Sequence, residues 1–450
     1  MRDLLEMTAE RAIDDLEGLQ ERPVAPSAAA VAGLAALDEP LPETVTPPED
    51  VIRQLDAVCS PATMAMAGPR FFGFVIGGAL PVTLAANWLA GAWDQNSALY
   101  NVTPATAELE RVALRWLLEL FGLPAGCGAG FVTGATVANF TALAAARHAV
   151  LARAGWNVEA DGLIGAPPLT VVVGDEAHST LFKALGLVGL GRKRVVRVPA
   201  DAQGRMRADA LPRLSGPTIV CAQAGNLHSG AFDPLPAICD WAHAADAWVH
   251  VDGAFGLWAA AVPALAGLTA GVAEADSWAV DFHKWLNVPY DSGLAISSDA
   301  DALRAAMSIT ADYLPTDSPV RNPSDFVPEL SRRARGVEVW AALRALGREG
   351  VIDLIERTRR HARRLAEGLQ AAGFEVLNEV FLNQVVVTFG DAEQTQRAIA
   401  AIQADGTCWC GPTVWQGRAA MRISVSSWAT TEGDVERSLG AMVRVARYII

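Results

Sequence analysis

Four short, almost wholly apolar runs most constrain the fold: "LTVVVGD" (169–175), "PTIVCAQ" (217–223), "AWVHVD" (247–252) and "DSWAVD" (276–281). Strands of this kind are buried on both faces, and the helix-forming stretches between them supply the cover. The preceding run "GAGFVTG" (128–134) leads directly into "ATVANFTALAAARHAVLARAG" (135–155), whose Ala, Leu and Val recur at helical spacing. The alternation predicts an α/β chain with a mainly parallel sheet from about residue 66 to 300. Ligands of such sheets bind beyond the carboxyl ends of the strands.

The flanks have a different texture. Residues 1–65 read as an N-terminal helical arm: an amphipathic helix in "MRDLLEMTAERAIDDLEGLQ", a Pro- and Ala-rich connection over 21–50, and a second helix near 49–58. An arm of this kind cannot bury its own apolar face and is expected at a dimer interface. Residues 66–335 form the expected large domain. Beyond 336, a long helical segment, the strand candidates "FEVLN", "NQVVVTFG" and "RAAMRISVSS", and a last helix capped near Thr431 and Asp434 predict an α+β domain over 336–450.

Charge and composition exclude several functions. The net charge of −14 argues against nucleic acid or anionic membrane as a partner. The runs Arg192-Lys193-Arg194 and Arg359-Arg360 with Arg363-Arg364 read as solvated faces. The chain begins without an apolar leader and holds no stretch long enough to span a bilayer, so a cytoplasmic location is expected. The six cysteines are scattered, with C-x-C as the one close pair, so neither a disulfide framework nor a metal site is expected.

Four features fall at predicted strand ends. Lys284 follows "DSWAVD", Asp252 ends "AWVHVD", His178 lies in "DEAHST" beyond "LTVVVGD", and "TGATVAN" (133–139) is a small-residue turn opening a helix. One ligand uses all four: an aromatic aldehyde with a phosphate and a pyridine nitrogen, that is, pyridoxal 5′-phosphate. A lysine amine condenses with the aldehyde, an aspartate keeps the pyridine nitrogen protonated, and an imidazole can stack on the ring. The amides of Ala135 and Thr136, with the Thr136 hydroxyl, lie where a helix favours an anion. Each feature alone has an ordinary structural explanation as a cap, turn or packed residue; their conjunction carries the inference.

The segments "VDFHKWLNVPYDSG", "HVDGAFG", "DEAHS", "GNLHSGAFDPL" and "ELSRRARGVEVWAALRALG" closely resemble the group II pyridoxal-phosphate-dependent amino-acid decarboxylases, the family of the aromatic-L-amino-acid, tyrosine, histidine and glutamate decarboxylases. The likeness runs from about residue 68 to 439. It implies the type I, aspartate-aminotransferase-like fold and a homodimer with shared active sites. It makes Lys284 the cofactor lysine, Asp252 the pyridinium partner and His178 the stacking residue, with Ala254, His283 and Asn226 at the cofactor and Arg332 nearby. It also assigns Tyr313, on a loop-like segment over about 311–328, to protonating the substrate carbon once carbon dioxide has left. Together with His178, Tyr313 favours simple decarboxylation over aldehyde formation.

The substrate pocket is expected from four segments. "RFFGFVIGG" supplies Phe74, Val75 and Ile76, and "WDQNSALYN", expected as the wall contributed by the partner subunit, supplies Gln95, Asn96, Ala98 and Tyr100, while His228 and Arg332 complete the set. The mixture is more aliphatic than in the aromatic decarboxylases and adds amides, which either recognise a polar group or bond to backbone. Three functions follow: an L-amino-acid decarboxylase for an aromatic or largely apolar substrate; an aldehyde-forming oxidative decarboxylase or aldolase-type lyase; or a non-catalytic dimeric cofactor-binding protein.

Overall fold

The computed structural model describes residues 1–309 and 320–449. The chain divides into two compact units, one of residues 1–78, 361–377 and 385–450, the other of 79–360 and 378–384. The N-terminal arm and the C-terminal segment thus fall in one unit. The unit boundary at 360/361 lies within Gly336–Ala371, two helices joined across a kink at Gly347, whose φ is 60°.

The second unit carries the large sheet: β1 (Gly128–Val132), β2 (Thr170–Gly174), β3 (Val196–Val198), β4 (Thr218–Gln223), β5 (Trp248–Asp252), β6 (Ser277–Asp281) and β7 (Gly293–Ser297), in the order β1-β7-β6-β5-β4-β2-β3. All four runs singled out above are strands, and β4, β5 and β6 are buried along their whole length. β2 to β6 pair in parallel, with β3 beside β2, while β7 runs antiparallel to both β6 and β1. The reversal follows from chain length: the short link from Asp281 to Gly293 leaves no room for the crossover a parallel neighbour requires.

The helix Ala135–Arg153 packs along this sheet. Leu143, Ala145, Ala146 and Leu151 are completely buried with Val171, Val173, Ile219 and Trp248. Burying each such Leu or Val contributes about 1.5–3 kcal/mol. The helix is therefore locked to the strands whose ends carry the chemistry.

The other unit holds an antiparallel sheet of β8 (Glu375–Val376), β9 (Gln384–Thr388), β10 (Gly411–Trp415) and β11 (Arg418–Ser424), in the order β10-β11-β9-β8. Helices Arg2–Gly18, Pro48–Cys59, Ala392–Asp405 and Glu432–Ile449 belong to it as well. The last opens on a reciprocal cap: Asp434 Oδ2 accepts from the Thr431 amide and hydroxyl, and Thr431 Oγ1 accepts from the Asp434 amide. Asp434 also pairs with Arg70 at 3.0 Å, both side chains buried.

Candidate active site

Lys284 is one of only three lysines in the chain; the others, Lys183 and Lys193, are exposed. It sits on the single turn Phe282–Trp285 that follows β6. Its neighbours fix that turn. Phe282 is fully buried against Phe131 and Trp258, and the Trp285 indole donates to Thr358 Oγ1 at 2.9 Å. With both flanks anchored in the core, Lys284 is left part-exposed at the carboxyl edge of the sheet.

Asp252 ends β5, the strand beside β6, in register with Ala279. Its carboxylate is 6% exposed. Oδ1 accepts from the Ala254 amide at 3.2 Å and Oδ2 from the Asn139 side chain at 3.2 Å. The Ala254 carbonyl in turn accepts from the Asp281 amide, tying the ends of β5 and β6 together. Asp252, Ala254 and the segment bearing Lys284 are thus brought to one edge.

His178, beyond β2, caps the helix Ser179–Leu187. Its Nδ1 accepts from the Thr180 amide at 3.3 Å and lies 2.6 Å from the Thr180 hydroxyl. This fixes the imidazole at the start of that helix.

The turn after β1 opens the helix at Ala135 and Thr136. The Ala135 amide already has a partner: it donates to Asp281 Oδ2 at 2.9 Å. The second oxygen of this 3%-exposed carboxylate lies 2.5 Å from His283 Nδ1. Tyr290 stacks on His283 at 4.0 Å between centroids, and burial with the nearby Asp281 charge pushes its phenol up to about 12. An acidic residue at the helix start was not anticipated; its signal in the sequence is the Asp of "VDFHK".

Five expected residues have structural partners. Asn226 is 1% exposed; its Oδ1 accepts from the His228 and Ser229 amides and its Nδ2 donates to the Gly204 carbonyl. It therefore shapes the loop that carries His228, whose Nδ1 lies 3.9 Å from Glu176 Oε2. Arg332 has a completely buried side chain. It pairs with Glu110 at 2.8 Å and donates to the Ser97 and Phe131 carbonyls. The amides of "WDQNSALYN" bond to backbone: Gln95 donates to the Trp93 carbonyl, and Asn96 accepts from the Arg332 amide.

The other expected pocket residues fall in both units. Ala98 is buried and the Tyr100 amide donates to Asn322. Phe74, Val75 and Ile76 belong to the first unit, where Phe74 stacks on Trp409 and Val75 and Ile76 are buried. Tyr313 lies outside the described residues.

The residues present fit pyridoxal phosphate. A buried carboxylate receives only donors and can accept one more from a protonated ring nitrogen, and a part-exposed lysine stands at the end of the next strand. Sequence reasoning missed Asn139 and His250, which join in a hydrogen-bonded chain behind Asp252.

The fold is that of the type I pyridoxal-phosphate enzymes. The structure of Oryza sativa TDC with PLP and tryptamine superposes with a TM-score of 0.91 over 99% of this chain and 97% of that one, at 24% identity. Residues 32–389 match the pyridoxal-dependent decarboxylase conserved domain. The chain belongs to the pyridoxal-dependent decarboxylase family. It is 31% identical to tryptophan decarboxylase 1 of Oryza sativa over 68% of this chain and 64% of that protein, so it spans less than two thirds of that relative's length. It is 29% identical to L-2,4-diaminobutyrate decarboxylase of Rhizobium meliloti over 91% of this chain and 84% of that protein.

Proposed function

We propose that this chain is a pyridoxal-phosphate-dependent carboxy-lyase that converts an aromatic or largely apolar L-amino acid to its amine and carbon dioxide. The observation that carries the reading is the pairing of Asp252 and the Lys284 turn on the ends of adjacent parallel strands. Of the residues assigned to the substrate, Phe74, Val75, Ile76 and Ala98 are apolar, and the polar ones in the same segments include Gln95 and Asn96. Their amides are engaged with backbone, which supports an apolar substrate over one recognised through a buried polar group.

Lys284 would hold the cofactor aldehyde and Asp252 its ring nitrogen, with His178 over the ring and Ala254 beneath it. Thr136 and His283 would take the phosphate, because the Ala135 amide is engaged by Asp281. The bound cofactor supplies an electron sink for the pair left when the carboxylate bond at Cα breaks. Asp252 keeps the sink charged, and Tyr313 delivers the proton to Cα.

The active unit is a cytoplasmic homodimer with shared active sites. The helix Pro81–Trp93 exposes Val82, Trp88, Leu89 and Trp93, large apolar side chains of the kind a second copy covers.

The test is product analysis of the cofactor-loaded protein with each proteinogenic L-amino acid and L-DOPA, with oxygen consumption followed in parallel. Amine and carbon dioxide in equal amounts without oxygen uptake, on an aromatic or aliphatic substrate, are expected. Aldehyde with oxygen uptake replaces the reading with the oxidative one, and turnover confined to charged substrates overturns the substrate class.

A further inference from the structure

Behind Asp252 lie four polar side chains that do not face the cofactor edge themselves: Asn139, His250, Ser277 and Trp248, each at most 1% exposed. Placing hydroxyl, imidazole and amide groups inside β5, β6 and an alanine-rich helix costs stability unless every one is bonded. Here every one is. Trp248 Nε1 lies 2.9 Å from Ser277 Oγ, Ser277 Oγ 2.9 Å from His250 Nδ1, His250 Nε2 2.7 Å from Asn139 Oδ1, and Asn139 Nδ2 3.2 Å from Asp252 Oδ2.

Chemistry fixes the direction of this chain. An indole N–H can only donate, so Ser277 accepts from Trp248 and its single proton goes to His250 Nδ1. Burial pulls the imidazole down to about 4, so near neutral pH it carries one proton, which is then on Nε2 and faces the Asn139 oxygen. The amide nitrogen of Asn139 is left to face Asp252. At the far end an ionised carboxylate can only accept, so both ends require the same polarity.

We propose that Trp248, Ser277, His250 and Asn139 form a one-directional hydrogen-bond relay that fixes the Asn139 amide nitrogen on Asp252, with Asn139 the positioning residue that leaves this carboxylate aimed as an acceptor at the ring nitrogen. A carboxylate that meets an acceptor in place of one of its donors no longer holds the ring nitrogen in its charged form. With the Ala254 amide on one oxygen and Asn139 on the other, Asp252 meets only donors. This inference rests on the placement of the cofactor ring at Asp252.

The experiment is nitrogen-15 NMR of the holoenzyme loaded with ring-labelled pyridoxal phosphate, with the cofactor dissociation constant measured in parallel. Asn139→Asp keeps the shape but faces Asp252 with a second carboxylate, and the two then share a proton. The ring-nitrogen resonance is expected to move from the protonated toward the unprotonated range, and cofactor affinity to fall on the order of tenfold. His250→Gln, which can still accept from Ser277 and donate to Asn139, retains the wild-type resonance. His250→Leu, which removes the donor to Asn139, shifts it and serves as the test if Asn139→Asp does not fold. A folded Asn139→Asp or His250→Leu protein with the wild-type resonance and affinity overturns the relay. Asp252→Asn separates the two claims: if the resonance survives that substitution, the cofactor placement fails, and the relay with it.

Discussion

Glu110→Ala tests whether Arg332 is a structural or a substrate-binding residue. The Arg332 guanidinium is fully buried, 2.8 Å from the Glu110 carboxylate, which is 1% exposed. Its remaining bonds go to the Ser97 and Phe131 carbonyls, and neutral acceptors do not offset a buried positive charge. Glu110 also acts on Arg321, whose guanidinium burial pulls down to about 10. Removing one partner of such a pair typically costs about 3–5 kcal/mol. For a unit of this size each kcal/mol lowers the melting temperature by about 2 °C, giving a loss of roughly 6–10 °C. Thermal unfolding with cofactor present measures it, and Glu110→Leu with Arg332→Met together should regain most of the loss. A Glu110→Ala protein melting within about 2 °C of wild type, with a raised KM, would refute this reasoning and return Arg332 to the substrate.

Gly293→Ala should loosen the turn at Ala135. A Cβ at Gly293 would lie 2.6 Å from the Gly134 Cα, backbone that cannot yield without moving the helix start. The expected cost is about 1–3 kcal/mol, read as weaker pyridoxal phosphate binding with little change for pyridoxal. His250 gives a pH signature. Its folded pKa of about 4 lies below the ordinary value of 6.5, so between the two the unfolded chain binds more protons and stability falls as pH is lowered. Urea titrations at pH 7.5 and 4.5 should show wild type losing up to about 3 kcal/mol more than His250→Leu. Asp233, raised to about 6 by burial, acts in the opposite direction in both proteins and cancels in the difference.

Strand runs were legible because a doubly covered strand has to be apolar along its length, and that same pattern exposed Lys284 and Asp252 as polar residues at apolar ends. The reversed β7 was also available in principle, since the connection after Asp281 is too short for a crossover. The support behind the site was not legible. His250 and Asn139 are single polar residues within apolar stretches, and only the folded register brings them to 2.7 Å. Arg332 and Asn226 sit in segments that resemble the family, yet their side chains are consumed by a buried ion pair and by a loop. A motif transmits position along the chain more faithfully than it transmits what a side chain bonds to.

The most direct test of the account is where the cofactor attaches. Borohydride reduction of the loaded protein, followed by peptide mass spectrometry, should place the phosphopyridoxyl group on Lys284, and Lys284→Ala should abolish it. With only Lys183 and Lys193 as the other lysines, both exposed, the outcome is discrete. Label on either of those, or stoichiometric label retained in Lys284→Ala, would contradict the site.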